Sequence, residues 1–315
     1  MTAWILAALQ TLIFLFMAPL LAGWIKRVKC HLQNRAAPSL LQPYRDLAKL
    51  FRKHTVLAEN ASWIFRSTPY VVFGSTVLAA AVVPLLALNL PTAAIADVIV
   101  LVGFFALGRF FIALAGMDIG TAFGGMGSSR EMMIGALAEP VMLMAVFTLA
   151  MSASTTNLSE AITYMLNSGL VLRPSFIFAA LGLMMVAVAE TGRVPVDNPA
   201  THLELTMVHE AMILEYSGRH LALIEAAAYL KLLLYVSVIA CVFFPWGMAI
   251  SGQGPAAYLS GIGVYVLKLA AGGFLLAVFE TAIAKMRVFR VPDFLGAALM
   301  LGFLATLLLF VTMAR

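Results

Sequence analysis

This sequence is short of charge. Only 11% of its 315 residues are Asp, Glu, Lys or Arg, against about a quarter in a soluble domain. It has two cysteines, Cys30 and Cys241. They are far apart and form no CxxC pair, which excludes an iron–sulfur cluster or zinc knuckle built by this chain. Gly-Lys-Ser/Thr is missing after the glycines of GTAFGGMGSSRE, so that run is no phosphate loop and reads as a tight turn. HEAMI (209–213) carries Ile213 where a zinc-protease helix needs its second histidine. His202, His209 and His220 show no metal-ligand spacing. Among the 18 methionines no paired Met-x-Met cluster stands out, and they read as packing.

What the chain has in quantity is apolar residues, 63% of the total, with a mean hydropathy of +0.99. Apolar runs near twenty residues recur along the whole length, and the short-period alternation of a membrane barrel does not appear. The expected fold is all-α: one polytopic membrane domain, 1–315, with about eight spans near 3–25, 68–90, 95–117, 131–153, 174–190, 221–248, 259–281 and 294–313. The first run lacks a basic leader and a small-residue cleavage site and reads as a retained helix.

Loop charge sets the orientation. Segment 26–66 and loops 118–130, 191–220 and 282–293 hold 15 of the 20 Lys and Arg. The positive-inside rule places these loops in the cytoplasm and both termini outside a cell inner membrane. The pI of 9.3 is then a matter of lipid and cytoplasmic partners, and nucleic acid is not needed to explain it. Within segment 38–54, Leu40, Leu47, Leu50 and Phe51 oppose Arg45, Lys49, Arg52 and Lys53, as in an amphipathic helix on the membrane or under a partner. NLSEAITYML (157–166) reads as a second short amphipathic helix capped by Asn157 or Ser159.

The acids are unevenly placed. Glu190, Asp197, Glu204, Glu210, Glu215 and Glu225 fall within 36 positions. Asn198-Pro199 reads as a helix start and Gly218 as a stop, with one helix or two short ones between. In a continuous helix Glu204 and Glu215 would share a face. Leu, Met, Val and Ile between the acids argue for a buried loop rather than a solvated one. Clustered carboxylates in low dielectric exchange protons near neutral pH, as a relay requires. Glu139, Arg109, Lys231 and Lys268 fall inside spans, where charge is costly; structural ion pairs are the simpler explanation and a transport role the stronger one.

FFALGRFF, GMDIGTAFGGMGSSREMMIGALAEP, ETGRVPVDNPATHLELTMVHEAMILEYSGR and FETAIAKMRVFRVPDF resemble the membrane anchor of complex-I-related energy-converting hydrogenases. This is the formate hydrogenlyase subunit 4 and hydrogenase-4 component C group, homologous to the subunit 1/H family of respiratory complex I. The resemblance implies a subunit without its own redox centre that joins hydrophilic and membrane arms. Its partners would be hydrogenase large and small subunits, an iron–sulfur subunit and antiporter-like membrane subunits, holding the iron–sulfur clusters and a nickel–iron centre; quinone is left open. It also implies an acidic path through Glu139, Glu190, Asp197, Glu204 and Glu215, with Arg130 as charge partner; Glu210, Glu225, Lys231, Lys268 and Glu280, with Arg109 as a second charge partner, join it as charged groups in or beside the spans. The family's NRRGPG after the first span is NRAAPS here (34–39). The equivalent membrane subunit of a quinone-reducing NADH dehydrogenase is the second reading. A standalone transporter is the third, disfavoured because no paired repeat appears.

Overall fold

The computed structural model describes residues 2–84, 87–88, 96–167, 174–197, 207–250 and 255–313. Eight long helices correspond to the eight expected spans: α1 (Thr2–Leu32), α3 (Trp63–Val82), α4 (Val98–Asp118), α5 (Ala122–Ala153), α7 (Pro174–Glu190), α9 (Gly218–Phe243), α10 (Pro255–Ala282) and α11 (Val291–Met313). Between them lie α2 (Gln42–Arg52), α6 (Leu158–Asn167) and the five-residue α8 (His209–Ile213). Six helices, α1, α4, α5, α9, α10 and α11, are long and apolar enough to cross a membrane. Helix α7 is apolar but shorter, and α3 is diluted by Arg66, Ser67, Thr68 and Pro69.

Neighbouring helices pack in pairs. Helix α4 lies between α3 and α5, α7 between α5 and α11, and α9 against α1, α2 and α3. The main core runs through Phe14, Ile25, Phe105, Val141, Leu183, Val186, Leu233 and Tyr235. A smaller one around Phe65, Ile112, Met212, Tyr216 and Ile224 joins α3, α4, α8 and α9.

The glycine-rich segment after α4 departs from its reading as a turn. Only Ile119–Thr121 turns, with Gly120 at φ +73°, and Thr121 caps α5 by accepting from Gly124 N at 3.2 Å. The rest is the first turns of a 32-residue helix, roughly 48 Å long against a hydrocarbon core of about 30 Å. The glycines serve close packing. A Cβ on Gly124 would collide with the Gly116 carbonyl, and one on Gly127 would lie 2.9 Å from the Val208 carbonyl oxygen.

Gly218 starts a helix instead of ending one. It sits at φ +54° under the segment after α2, where a Cβ would lie 2.6 Å from the His54 carbonyl oxygen. Ser217 secures this crossing: Val56 N donates to its Oγ and its Oγ donates to Val56 O, both at 2.8 Å. A continuous helix up to Gly218 is therefore excluded for the described part, since α8 ends at Ile213. Asn198, Pro199, His202 and Glu204 lie outside the described residues.

At the opposite end of the bundle, Asn157 caps α6, its Oδ1 accepting from Ser159 N at 3.0 Å and Glu160 N at 3.3 Å. Asp97 caps α4 and also accepts from Thr156 Oγ1. Residues 87–88 and 249–250 pair there as a two-residue parallel bridge.

Candidate functional site

Helices α4, α5, α7 and α9 bring five charged groups together toward the basic end of the bundle. Arg109, buried in α4, reaches across α5. Its Nη1 donates to Glu139 Oε1 at 2.7 Å, its Nη2 donates to Glu190 Oε1, and its Nε lies 3.9 Å from Glu131 Oε1. Lys231 Nζ on α9 donates to the other oxygen of Glu190 at 2.9 Å. Glu190 is thus clamped between two cations with 1% of its side chain exposed, whereas Glu139 keeps 39%. Glu190 ends α7, where cations also meet the negative pole of the helix dipole.

Gly135 makes room for this arrangement. It sits one turn from both Glu131 and Glu139, and a Cβ there would run into the Arg109 side chain. Tyr235, fully buried, stacks on Phe105 with centroids 4.9 Å apart and points its hydroxyl at Met142. Glu131, Gly135 and Tyr235 are the residues that sequence reasoning passed over. The 131–135–139 spacing, four and four, places all three on one helix face and was the available signal for the first two.

A cavity of about 80 Å³ adjoins the cluster, several times what one water needs. Arg109, Glu131, Glu190 and Lys231 line it, together with Thr76, Asp197 and His209. His209 is half-buried in α8. Burial, and next the Lys231 charge, hold its pKa below the ordinary histidine value, against the opposing pull of Glu210 and Asp197. The neutral imidazole is therefore the favoured form at the cavity wall.

A second network lies beside the first. The Glu280 carboxylate on α10 is fully enclosed between Lys29 Nζ (2.6 Å) and Arg193 Nη1 (3.1 Å). Lys285 Nζ meets Asp197 Oδ1 at 3.0 Å, and Met286 N donates to Pro195 O at 2.8 Å. Segment 191–197 is thereby stapled to α10 and to the α10–α11 connection while its first and last residues line the cavity.

The other candidates stand apart. Arg130 donates to the Met207 carbonyl at 2.8 Å, and among the described residues it forms no ion pair with a carboxylate. Glu225 is hydrogen-bonded to Tyr229 and faces Glu210 and Asp46. Glu215 is exposed at the rim, beside Leu214. Lys268 donates to the Phe244 carbonyl, where α9 ends at the opposite side of the bundle. Among the described residues no group of three or more His, Cys, Asp or Glu could hold a metal ion.

Fold and site together define a multi-spanning helical membrane protein with a charge network buried beside a small polar cavity. The chain belongs to the NADH dehydrogenase family, whose model matches residues 5–312. It is 31% identical over 297 residues to formate hydrogenlyase subunit 4 of Escherichia coli K12, covering 94% of this chain and 95% of that one. It is 32% identical over 283 residues to hydrogenase-4 component C of the same organism, covering 90% and 88%. The NADH-quinone oxidoreductase H protein of Thermomicrobium roseum is 28% identical over 298 residues, covering 87% and 83%. In fold it matches a chain in the structure of the archaeal membrane-bound sulfane sulfur reductase, with a TM-score of 0.84 at 17% identity, over 98% of this chain and 100% of that one. The resemblance read from the four motifs is therefore shown, for the hydrogenase group and for the NADH-quinone oxidoreductase relative alike.

Proposed function

We propose that this chain is the non-catalytic membrane subunit of a complex-I-related, formate-hydrogenlyase-type nickel–iron hydrogenase. It anchors the hydrophilic arm at its basic end, which faces the cytoplasm of the inner membrane, with both termini outside. The Arg109–Glu190–Lys231 clamp, with Glu131, Glu139 and the adjoining cavity, answers redox events in the partner by taking up, releasing or reorienting charge. Asp197, Glu210, Glu215, Glu225 and Glu280 are assigned to the same acidic pathway, as is Glu204, which lies outside the described residues, and Lys268 serves the far side. Iron–sulfur clusters and the nickel–iron centre belong to partner subunits, and antiporter-like subunits adjoin in the membrane.

The observation that carries this reading is a set of three carboxylates, Glu131 and Glu190 buried and Glu139 partly exposed, held on two cations beside a polar cavity. Fixed structural ion pairs in low dielectric gain little over apolar packing, so an unevenly matched set retained inside a membrane points to charge movement. The near full-length similarity to formate hydrogenlyase subunit 4 supports the partner assignment. Similarity to the NADH-quinone oxidoreductase relative supports the second reading, a quinone-reducing dehydrogenase. Purification in mild detergent separates them: copurification of an iron–sulfur subunit and a large subunit with two CxxC pairs is expected. A flavin-binding NADH module would select the second reading, and a solitary chain that moves ions would overturn both.

A further inference from the structure

Helix α2 presents a cationic surface groove. Arg45, Lys49, Arg52 and Lys53 are all exposed and surround Ala48, whose small side chain leaves a shallow depression between them. Asp46 is the one carboxylate on this helix, and its Oδ1 accepts from Gln42 at 2.9 Å. Among the described residues none of the ion pairs found includes any of the four cations.

The depth of α2 selects the occupant. The Tyr44 hydroxyl donates to the carbonyl of Phe16, midway along α1. The Leu40 backbone lies against Gly23, where a Cβ would collide with the Leu40 carbonyl. From Gly23, α1 rises a further nine residues to Leu32, roughly 14 Å. Helix α2 therefore starts alongside α1 at the level of Gly23, well short of the end of α1, with the Tyr44 side chain reaching further down to Phe16. Residues 2–23 of α1 match the thickness of a hydrocarbon core. The start of α2 is thus at the level of lipid headgroups, while α1 projects past it toward water-soluble partners. Leu41 and Phe51 remain 54% and 46% exposed beside the cations, the mixture of apolar and basic side chains that suits an interface.

We propose that the Arg45–Lys49–Arg52–Lys53 groove binds the phosphate of an anionic phospholipid headgroup, with Phe51 and Leu41 in its acyl region. Arginine forks match phosphate oxygens in two-point contacts, and the lysines add charge. The proposal is independent of the role of the buried cluster.

The test uses the purified full chain in detergent and native mass spectrometry with phosphatidylglycerol against phosphatidylcholine. A cation at an anionic surface contributes a factor of about five in affinity, reduced by salt, so a preference of roughly tenfold for phosphatidylglycerol is expected. R45Q/K49Q/R52Q/K53Q should abolish it, while R45K/R52K, which keeps the charge, should retain most of it and controls for folding. Inorganic phosphate alone should not displace the lipid; if it does, the groove is a free-anion site and the proposal fails. Equal retention of both lipids by the native chain, or unchanged preference in the quadruple variant, also overturns it. So does an assembled complex whose phosphatidylglycerol content is indifferent to the four substitutions, which would assign this face to a protein partner.

Discussion

Arg109 and Glu190, 81 residues apart in the chain, form a direct charge-assisted hydrogen bond in which both side chains are almost completely enclosed. Lys231 closes on the second Glu190 oxygen. Arg109, with 4% of its side chain exposed, has almost no water to turn to, whereas Lys231 keeps 18%. The Glu280 carboxylate is enclosed just as fully, but its partners Lys29 and Arg193 keep 29% and 21% of their side chains exposed.

This contrast makes a stability prediction. Glu190→Gln takes from the enclosed Arg109 its most deeply buried anion and should cost about 3–5 kcal/mol. Glu280→Gln frees Lys29 and Arg193 to rehydrate and should cost about 1 kcal/mol. Thermal unfolding of the two purified variants should show a drop in Tm at least twice as large for Glu190→Gln. Equal drops would mean that exposure of the cations does not decide the cost.

Gly135→Ala should be damaging out of proportion to its size. Alanine favours a helix over glycine by about 1 kcal/mol, and at Gly125, where nothing lies within 4 Å of an added Cβ, it should leave stability unchanged or improved. At Gly135 the methyl group displaces Arg109. Gly135→Ala should therefore lower Tm and coupled turnover, and Gly125→Ala should lower neither.

Glu139 tests the charge-movement reading. It shares Arg109 with Glu190 yet remains partly exposed, so the neutral isostere should be tolerated structurally. Glu139→Gln should leave the amount of assembled complex within about 20% of normal, since substitutions at partly exposed sites cost little, and impair hydrogenase turnover or ion translocation in vesicles. A structural role predicts the reverse: full coupled activity in Glu139→Gln and lost complex only in Glu139→Ala.

His209 makes stability depend on pH. Its folded-state pKa lies below that of the unfolded chain, near 6.5, so the unfolded state binds the extra proton first. Its contribution is complete above that value and is lost as pH falls from about 6.5 toward the lower, folded-state pKa. Unfolding temperatures between pH 7.5 and 5.5 should fall less steeply for His209→Gln than for the native chain. Parallel profiles would remove His209 from the account.

The helices were legible because apolar runs of membrane length announce themselves, and the Asn157 cap because its residue type and position are local signals. The start of α5 was not. GTAFGGMGSSRE has turn composition, and the reason those glycines are helical, the approach of Gly116, Val208 and Ala211, comes from other parts of the chain. The site divides the same way. That Arg109, Glu139, Glu190 and Lys231 are unusual follows from charge in apolar surroundings. That Glu139 turns to Arg109 depends on how α4 crosses α5, and that Arg130 takes the Met207 carbonyl depends on how the segment before α8 packs on α5. Gly218 misled for a related cause: a left-handed glycine serves a helix start as well as an end when a neighbouring segment presses on it.

The crossing at Gly218 also fixes an order of events during synthesis. Val56 and Ser217, whose reciprocal hydrogen bonds close it, are 161 positions apart. At about 5–20 residues per second, the connector between α2 and α3 waits roughly 8–30 s for the residue that fastens it. Helix α9 therefore threads its first turn beneath a strand of chain that has already emerged. A larger residue at position 218 meets that strand at the moment of insertion, so its harm should appear as failed assembly of nascent chains before it appears as instability of finished ones.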